Sequence, residues 1–208
     1  STESLASDDR ACNGLARAGG EEPGRNGLLV LVRDGINAYE VGAESGYWIF
    51  VRVSGGPFVR PCIIGNIYRP HDRRVSKVVM EGIKKQIETL HRKFPDDAVI
   101  LMGDFNKSGK DLDKNITSWS PVMERIVPVG TCRTFTRGAN RDIDHCVMDE
   151  EHAIMARELR VMDDWKHSDH YPIMAVLDGQ AYAPPTVIPR EKIIAGRDQA
   201  SGEDISMV

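Results

Sequence analysis

The sequence predicts an α/β domain built in layers, and three observations carry that prediction. Short apolar runs at residues 27–33, 47–53 and 62–68 are bounded by turn-forming residues, as strands are. Residues 75–94 then show the three- and four-residue apolar spacing of an amphipathic helix. Immediately after it, residues 98–102 are continuously apolar, the pattern of a strand buried on both faces. Strand, helix and doubly buried strand in succession imply a sheet with a helix packed on it.

Residues 1–26 are rich in Gly, Ala, Ser and acids and lack apolar periodicity, so a flexible arm or long loop is expected there. The runs at 27–33 and 47–53, each followed by a turn signal (Asp34-Gly35, then Ser54-Gly55-Gly56-Pro57), are expected to pair as a hairpin. The third strand, 62–68, ends at Pro70, which cannot donate to a ladder. Val75, Val78, Val79, Ile83, Ile87, Leu90 and Phe94 fall on one helical face, while Lys84, Lys85, Glu88 and Arg92 fall largely elsewhere. Pro95 and Asp96 end the helix. The apolar strand that follows delivers Gly103, Asp104, Phe105 and Asn106 to its C-terminal edge. Later strands are expected at 143–148, 158–162 and 171–177. Residues 180–208, with Pro184, Pro185 and Pro189, read as a linker or tail, which leaves one domain over residues 27–179.

The 208 residues, 41% of them hydrophobic, suffice for one ordinary core. No apolar stretch reaches the ~20 residues needed to cross a bilayer and the start lacks a basic-then-apolar signal, so a soluble, intracellular chain without a membrane partner is expected. Cys12, Cys62, Cys132 and Cys146 form no CxxC pair, and free thiols in a reducing compartment are expected. The formal charge of −4 argues against a nonspecific coat for nucleic acid, which relies on many cations displacing counterions. Basic residues are nevertheless concentrated. Residues 66–94 hold eight Lys or Arg against three acids, and Arg133, Arg137 and Arg141 form a second group.

Three polar clusters adjoin apolar strands: Gly103-Asp104-Phe105-Asn106, Arg141-Asp142-Ile143-Asp144 and Ser168-Asp169-His170. Asp104 and Asn106 are two residues apart, so on an extended strand their side chains share a face, where their oxygens can hold a hard cation, with Asp169 as a further oxygen donor. His170 is the natural acid, base or phosphate contact, and Asp144 can fix its tautomer through a ring hydrogen bond. Taken singly, each cluster is also what an ordinary turn, capped loop or helix start looks like.

As an ordered set, Ile67-Tyr68-Arg69-Pro70, a basic helix, Ile100 to Asn106, Thr134-Phe135 with Arg141 to Asp144, and Ser168 to His170 resemble the endonuclease/exonuclease/phosphatase family of divalent-metal phosphodiesterases. Within it, the set looks most like the apurinic-like endonuclease domains of non-LTR retrotransposons. The resemblance implies a four-layered α/β sandwich in which two mixed sheets pack face to face, with outer helices and an active site along one edge. It assigns catalytic roles to Tyr68 (scissile phosphate), Asp104 (attacking water), Asn106 (water or phosphate), His170 (phosphate) and Asp144 (orienting His170). It makes Asp169, with Asp104 and Asn106, the surroundings of one Mg²⁺ or Mn²⁺, which suits an all-oxygen site. Arg69, Arg73, Arg74, Lys107, Arg133 and Arg137 would contact flanking phosphates. Family members differ in whether the residue matching Asp104 or the one matching His170 is the base.

The implied activity is nicking of DNA, with RNA as a further substrate class, to leave a 3′-hydroxyl for a downstream reverse transcriptase domain, and the implied location is the nucleus. The family's opening strand–helix–strand unit, with its Asn and Gln-Glu motifs, is not found in the sequence. The alternative expectation is therefore a catalytically degenerate endonuclease-like module that binds a partner protein or RNA.

Overall fold

The computed structural model describes residues 15–18, 28–55, 58–137, 141–165 and 167–178. Ten strands and two α-helices occur among them: β1 (Leu15–Ala18), β2 (Leu28–Leu31), β3 (Asn37–Glu44), β4 (Trp48–Gly55), β5 (Phe58–Tyr68), α1 (Arg73–Lys93), β6 (Ala98–Asp104), α2 (Gly109–Ile116), β7 (Met123–Ile126), β8 (Asp144–Asp149), β9 (Ala156–Val161) and β10 (Ile173–Leu177). A 3₁₀ turn, Glu150–Met155, joins β8 to β9. No helix among the described residues is long and apolar enough to cross a membrane.

Six strands form one mixed sheet in the order β3-β4-β5-β6-β8-β7. Its parallel pair is β5–β6, joined by α1 as a crossover needs, and the other neighbours run antiparallel. Two antiparallel ribbons, β1–β2 and β9–β10, form the second sheet layer. The period of two along each central strand sends alternate side chains into two cores. Phe50, Ile63, Val99, Leu101 and Val147 pack under α1 and α2, while Ile49, Val51, Cys62, Ile100, Cys146 and Met148 pack against residues of the ribbons, such as Val32 and Leu159. β6 is buried on both faces, as its unbroken apolar run predicts.

The α/β sandwich with two packed sheet layers therefore stands, and among the described residues both α-helices lie on one side of it. Cys62 and Cys146 are free and buried, and burial pushes both thiols up to about 12. Cys132 is free and exposed; Cys12 lies outside the described residues.

Four expectations need correction. The hairpin is β3–β4, turning at Tyr47 N–H to Glu44 O (3.0 Å) with Gly46 at φ 76°, and β2 pairs with β1 instead. Polar Asn37, Glu40 and Glu44 with Gly42 hide β3 from a strand pattern, and the bulge at Val41 frees its carbonyl to accept Gln86 Nε2 at 3.1 Å. Second, Leu15–Ala18, assigned to the arm, forms a strand on β2 that supplies pairing its own composition does not signal; residues 1–14, 19–27 and 179–208 lie outside the described residues.

Third, β5 starts at Phe58 rather than Cys62, because Pro61 falls at a register shift where its missing N–H costs no ladder bond. Fourth, Val78 is 72% exposed, since one step of about 100° turns it away from Val79. The buried face of α1 is Val79, Ile83, Ile87 and Leu90, and Asp72 caps its start by accepting from the N–H groups of Arg74 and Val75.

One buried polar group ties three elements together. Asp149 ends β8, accepts the N–H of Val99 at the start of β6 (2.6 Å), and contacts Nδ1 of buried His152 in the 3₁₀ turn. Asp149→Ala is expected to cost about 3 kcal/mol, because it strips two buried groups of this partner. The hydrogen bond to Asp149 raises the pKa of His152 above 6.5. The stability gained from protonated His152 is thus full below the unfolded value and is lost as pH rises through the higher folded one. Urea midpoints should show a larger penalty for Asp149→Ala at pH 6 than at pH 9.

Candidate active site

Registry builds the floor of the site. Tyr68 on β5 pairs with Asp104 on β6, and Asp104 pairs with Asp144 on β8, so three strand-terminal residues stand in one row at one edge of the sheet. Above them opens a cavity of about 280 Å³ lined by Tyr68, His71, Asp104, Asn106, Phe135, Arg141, Ile143, Asp169 and His170. Residues separated by a hundred positions thus converge on one volume.

Asp104 and Asn106 meet differently from the expected strand alternation. β6 stops at Asp104, and Asn106 turns into the left-handed region at φ 45°, a conformation Asn tolerates. Its backbone N–H donates to Asp104 Oδ1 (2.8 Å), and Nδ2 donates to Asp104 Oδ2 (3.1 Å) and Arg69 O (2.7 Å). Both amide hydrogens are thereby used and Oδ1 is left as the acceptor. Arg69 braces the same turn, its Nη1 donating to the carbonyls of Phe105 (3.1 Å) and Asn106 (2.9 Å). Phe105, fully buried, anchors the turn in the core.

His170 comes from the β9–β10 connection and is fastened to the 134–136 segment. Thr136 N–H donates to Asp169 O (2.8 Å), Tyr171 N–H donates to Thr134 O (2.8 Å), and the Phe135 ring lies edge-on to the imidazole with centroids 4.8 Å apart. Nδ1 of His170 faces Asp144 at 2.9 Å and 3.1 Å from its two oxygens. An ionised carboxylate only accepts, so Nδ1 carries the hydrogen and Nε2 is the free position of the ring. Asp144 is in turn set by Thr134, whose buried hydroxyl accepts the N–H groups of Ile143 and Asp144, both at 3.0 Å.

Burial raises the pKa of Asp104, against the Asn106 N–H bond and the nearby histidines that lower it. Burial likewise raises Asp144, against the charge and hydrogen bond of His170. Both carboxyls are held where water stabilises their charge poorly, the usual setting of groups that exchange protons or bind cations.

The structure brings Tyr68, Asp104, Asn106, Asp169 and His170 to one cavity with Asp144 behind His170. The basic residues divide. Arg69, Arg73 and Lys107 line a neighbouring groove, Arg74 is exposed at the start of α1, and Arg137 pairs with Asp169 at 3.1 Å. Arg133 is turned to the carbonyls of Phe135 (3.4 Å) and Thr136 (3.3 Å).

His71, which belongs to none of the three polar clusters, also lines the cavity. Sequence reasoning gave no role to Thr134 or to the Phe135 ring, since neither hydroxyl nor aromatic contacts leave a spacing signal. Trp48 and Trp119 are buried, whereas Trp165 is 46% exposed beside His167. His145 is buried with its pKa lowered mainly by burial, and holds Lys107 O at 2.8 Å from Nε2.

No protein-family model and no curated protein matches the sequence. Solved structures do match. The endonuclease domain of TRAS1, a telomere-specific non-LTR retrotransposon, superposes with a TM-score of 0.58 at 17% identity over 73% of this chain and 72% of that one. A mannosyl-6-phosphatase from Bacteroides thetaiotaomicron gives 0.56 at 14% identity, covering 73% and 70%. A 3′-5′ exonuclease from Neisseria meningitidis gives 0.53 at 14% identity, covering 73% and 75%. The chain has the endonuclease/exonuclease/phosphatase fold. The mixed six-stranded sheet is one of the two sheets expected from the resemblance, and two separate antiparallel ribbons packed against it stand in the place of the other.

Proposed function

We propose that this chain is a divalent-metal-dependent phosphodiesterase that nicks DNA and leaves a 3′-hydroxyl. The observation that carries the reading is the single cavity shared by Tyr68, Asp104, Asn106, Asp169 and His170, with Asp144 fixing the imidazole. Neighbours of the same fold include proteins described as an endonuclease domain, an exonuclease and a Neisseria 3′ phosphatase bound to a product DNA hairpin.

The donor set suits a hard cation held partly by water and substrate. Asp104, Asp169 and the free Oδ1 of Asn106 are all oxygen donors, and Mg²⁺ is commonly held by one or two carboxylates together with substrate phosphate. Among the described residues no group of three His, Cys, Asp or Glu side chains is arranged to hold a metal, so the cation would rest on these few oxygens, water and substrate. Bound there, Mg²⁺ or Mn²⁺ would neutralise charge developing on the phosphate.

The protein's own groups supply the rest. Asp104 aligns the attacking water and accepts its proton, and Asn106 holds the turn that points Asp104 at the cavity. Nε2 of His170 donates to a nonbridging phosphate oxygen, with Asp144 stabilising the charged ring, and the Tyr68 hydroxyl contacts the same phosphate. Attack at phosphorus breaks the P–O3′ bond, and the leaving oxygen takes a proton from solvent, so that a 5′-phosphate and a 3′-hydroxyl remain. A following reverse transcriptase domain in the nucleus would extend that end; RNA is the second substrate class.

The test is nicking of supercoiled plasmid. Open circles should accumulate with Mg²⁺ but not with EDTA, and a polymerase should extend the nicks without end repair. Nicks that cannot be extended would refute the assigned bond cleavage.

A binding module is the second reading, favoured by the outward residues of the ribbons. Leu29 and Leu31 on β2, and Met174 and Val176 on β10, face solvent while their alternates pack inward. On this reading association with partner protein or RNA persists in Asp104→Ala and under chelation.

A further inference from the structure

Next to the catalytic cavity lies a second, larger depression of about 430 Å³ between α1 and α2. Six cations line it: Arg69, Arg73, Lys77, Lys84, Lys107 and Lys114. Glu81 is the one acid in its lining, and Asp111 pairs with Lys114 from the side at 3.2 Å. In a chain of net charge −4 this concentration is a local feature and not a reflection of composition.

The two depressions adjoin through consecutive residues. Tyr68 lines the cavity and Arg69 the groove, and Asn106 lines the cavity and Lys107 the groove. A chain with one phosphate in the cavity therefore has the groove directly in its path. Arg73, Lys77 and Lys84 are separated by four and seven residues, which places them on one face of α1. From Arg73 to Lys84 the helix rises about 16 Å, the rise of roughly five nucleotides along one strand at ~3.4 Å each.

Among the described residues neither Arg69 nor Lys107 forms an ion pair with an acid. Nη1 of Arg69 is held by the carbonyls of Phe105 and Asn106, but its buried Nε has no hydrogen-bond partner among the described residues. Lys107 and Lys114 face the same depression as Arg69, so three cations crowd its inner end. A bound anion would relieve this crowding.

We propose that the α1–α2 groove is a phosphate-backbone tract for the nucleic-acid strand leaving the catalytic cavity, with Lys77 and Lys84 as its outer contacts. The tract takes from the hydrolytic reading only the class of its ligand. Its contacts are to phosphate, so they lengthen the footprint on DNA without reading sequence.

The test is fluorescence anisotropy of a labelled 20-base-pair duplex in EDTA, which reads binding apart from cleavage. Lys77→Ala/Lys84→Ala should bind several-fold more weakly on duplexes of unrelated sequence, and the slope of log affinity against log salt should become shallower by about 2. Lys77→Arg/Lys84→Arg should retain wild-type binding. Lys85→Ala/Arg92→Ala removes the same charge elsewhere on α1 and should leave the slope near that of the wild type. Unchanged affinity and slope in Lys77→Ala/Lys84→Ala, or an equal change in Lys85→Ala/Arg92→Ala, would overturn the tract. A chain that cleaves nothing yet shows the expected slopes would keep the tract and remove the hydrolytic reading.

Discussion

His170→Ala is expected to lower the rate of phosphodiester cleavage by about 100- to 10,000-fold, the range for losing a positioned acid–base or charge-stabilising group. The side chain is one-third exposed, with its ring against Phe135 and Asp144, so removing it should disturb folding little. Asp144→Ala should cost less, since it removes the partner that fixes the tautomer but leaves the imidazole in place. The double variant should be no slower than His170→Ala, because the two residues act as one unit. Single-turnover rates on an end-labelled duplex measure all three. A double variant slower by the product of the two single effects would show that Asp144 acts independently of the ring.

Among the described glycines, Gly103→Ala should be the most damaging single added methyl group. Gly103 has φ 143°, and a Cβ there would lie 2.0 Å from the carbonyl oxygen of Ile67 on β5. The neighbour is backbone in a paired strand, so no side chain can swing aside. The Arg69 N–H to Asp104 O bond (2.8 Å) lies one residue beyond, and with it the turn that presents Asp104 and Asn106. Strain plus displacement should cost about 4 kcal/mol, and cleavage should fall even at temperatures where the variant is folded. A urea midpoint close to wild type would show that β5 and β6 separate without penalty.

What could be read from the sequence follows from which forces leave a periodic trace. The buried face of α1 and the doubly buried β6 are written in apolar spacing, and the three polar clusters stand out because they interrupt it. β3 escapes because Asn37, Glu40 and Gly42 break alternation, and its place is decided by pairing with β4 and by Gln86. α2 escapes because Leu112 and Ile116 are its only fully buried apolar pair, and β7 because four residues are too few to show a period.

In the site, Asp104, Asp144 and His170 were identifiable by motif order, but the means that joins Asp104 to Asn106 is a left-handed turn and not the strand. Thr134 shows in the sequence only as part of a motif, and its hold on Asp144, like the place of His71 in the cavity, is a tertiary contact that local sequence does not encode. The basic groove was half visible. The charge excess of residues 66–94 was countable, but its alignment with Lys107 and Lys114 required the packing of α2 against the sheet.

The cavity bounded by Tyr68, Asp104 and His170 is expected to hydrolyse phosphodiesters. Relaxation of supercoiled plasmid with Mg²⁺ by the unaltered chain, beside Asp104→Ala and His170→Ala purified in the same way, tests it most directly. Nicking by the unaltered chain alone is the expected result, and equal rates in all three, or no nicking by any, would contradict it.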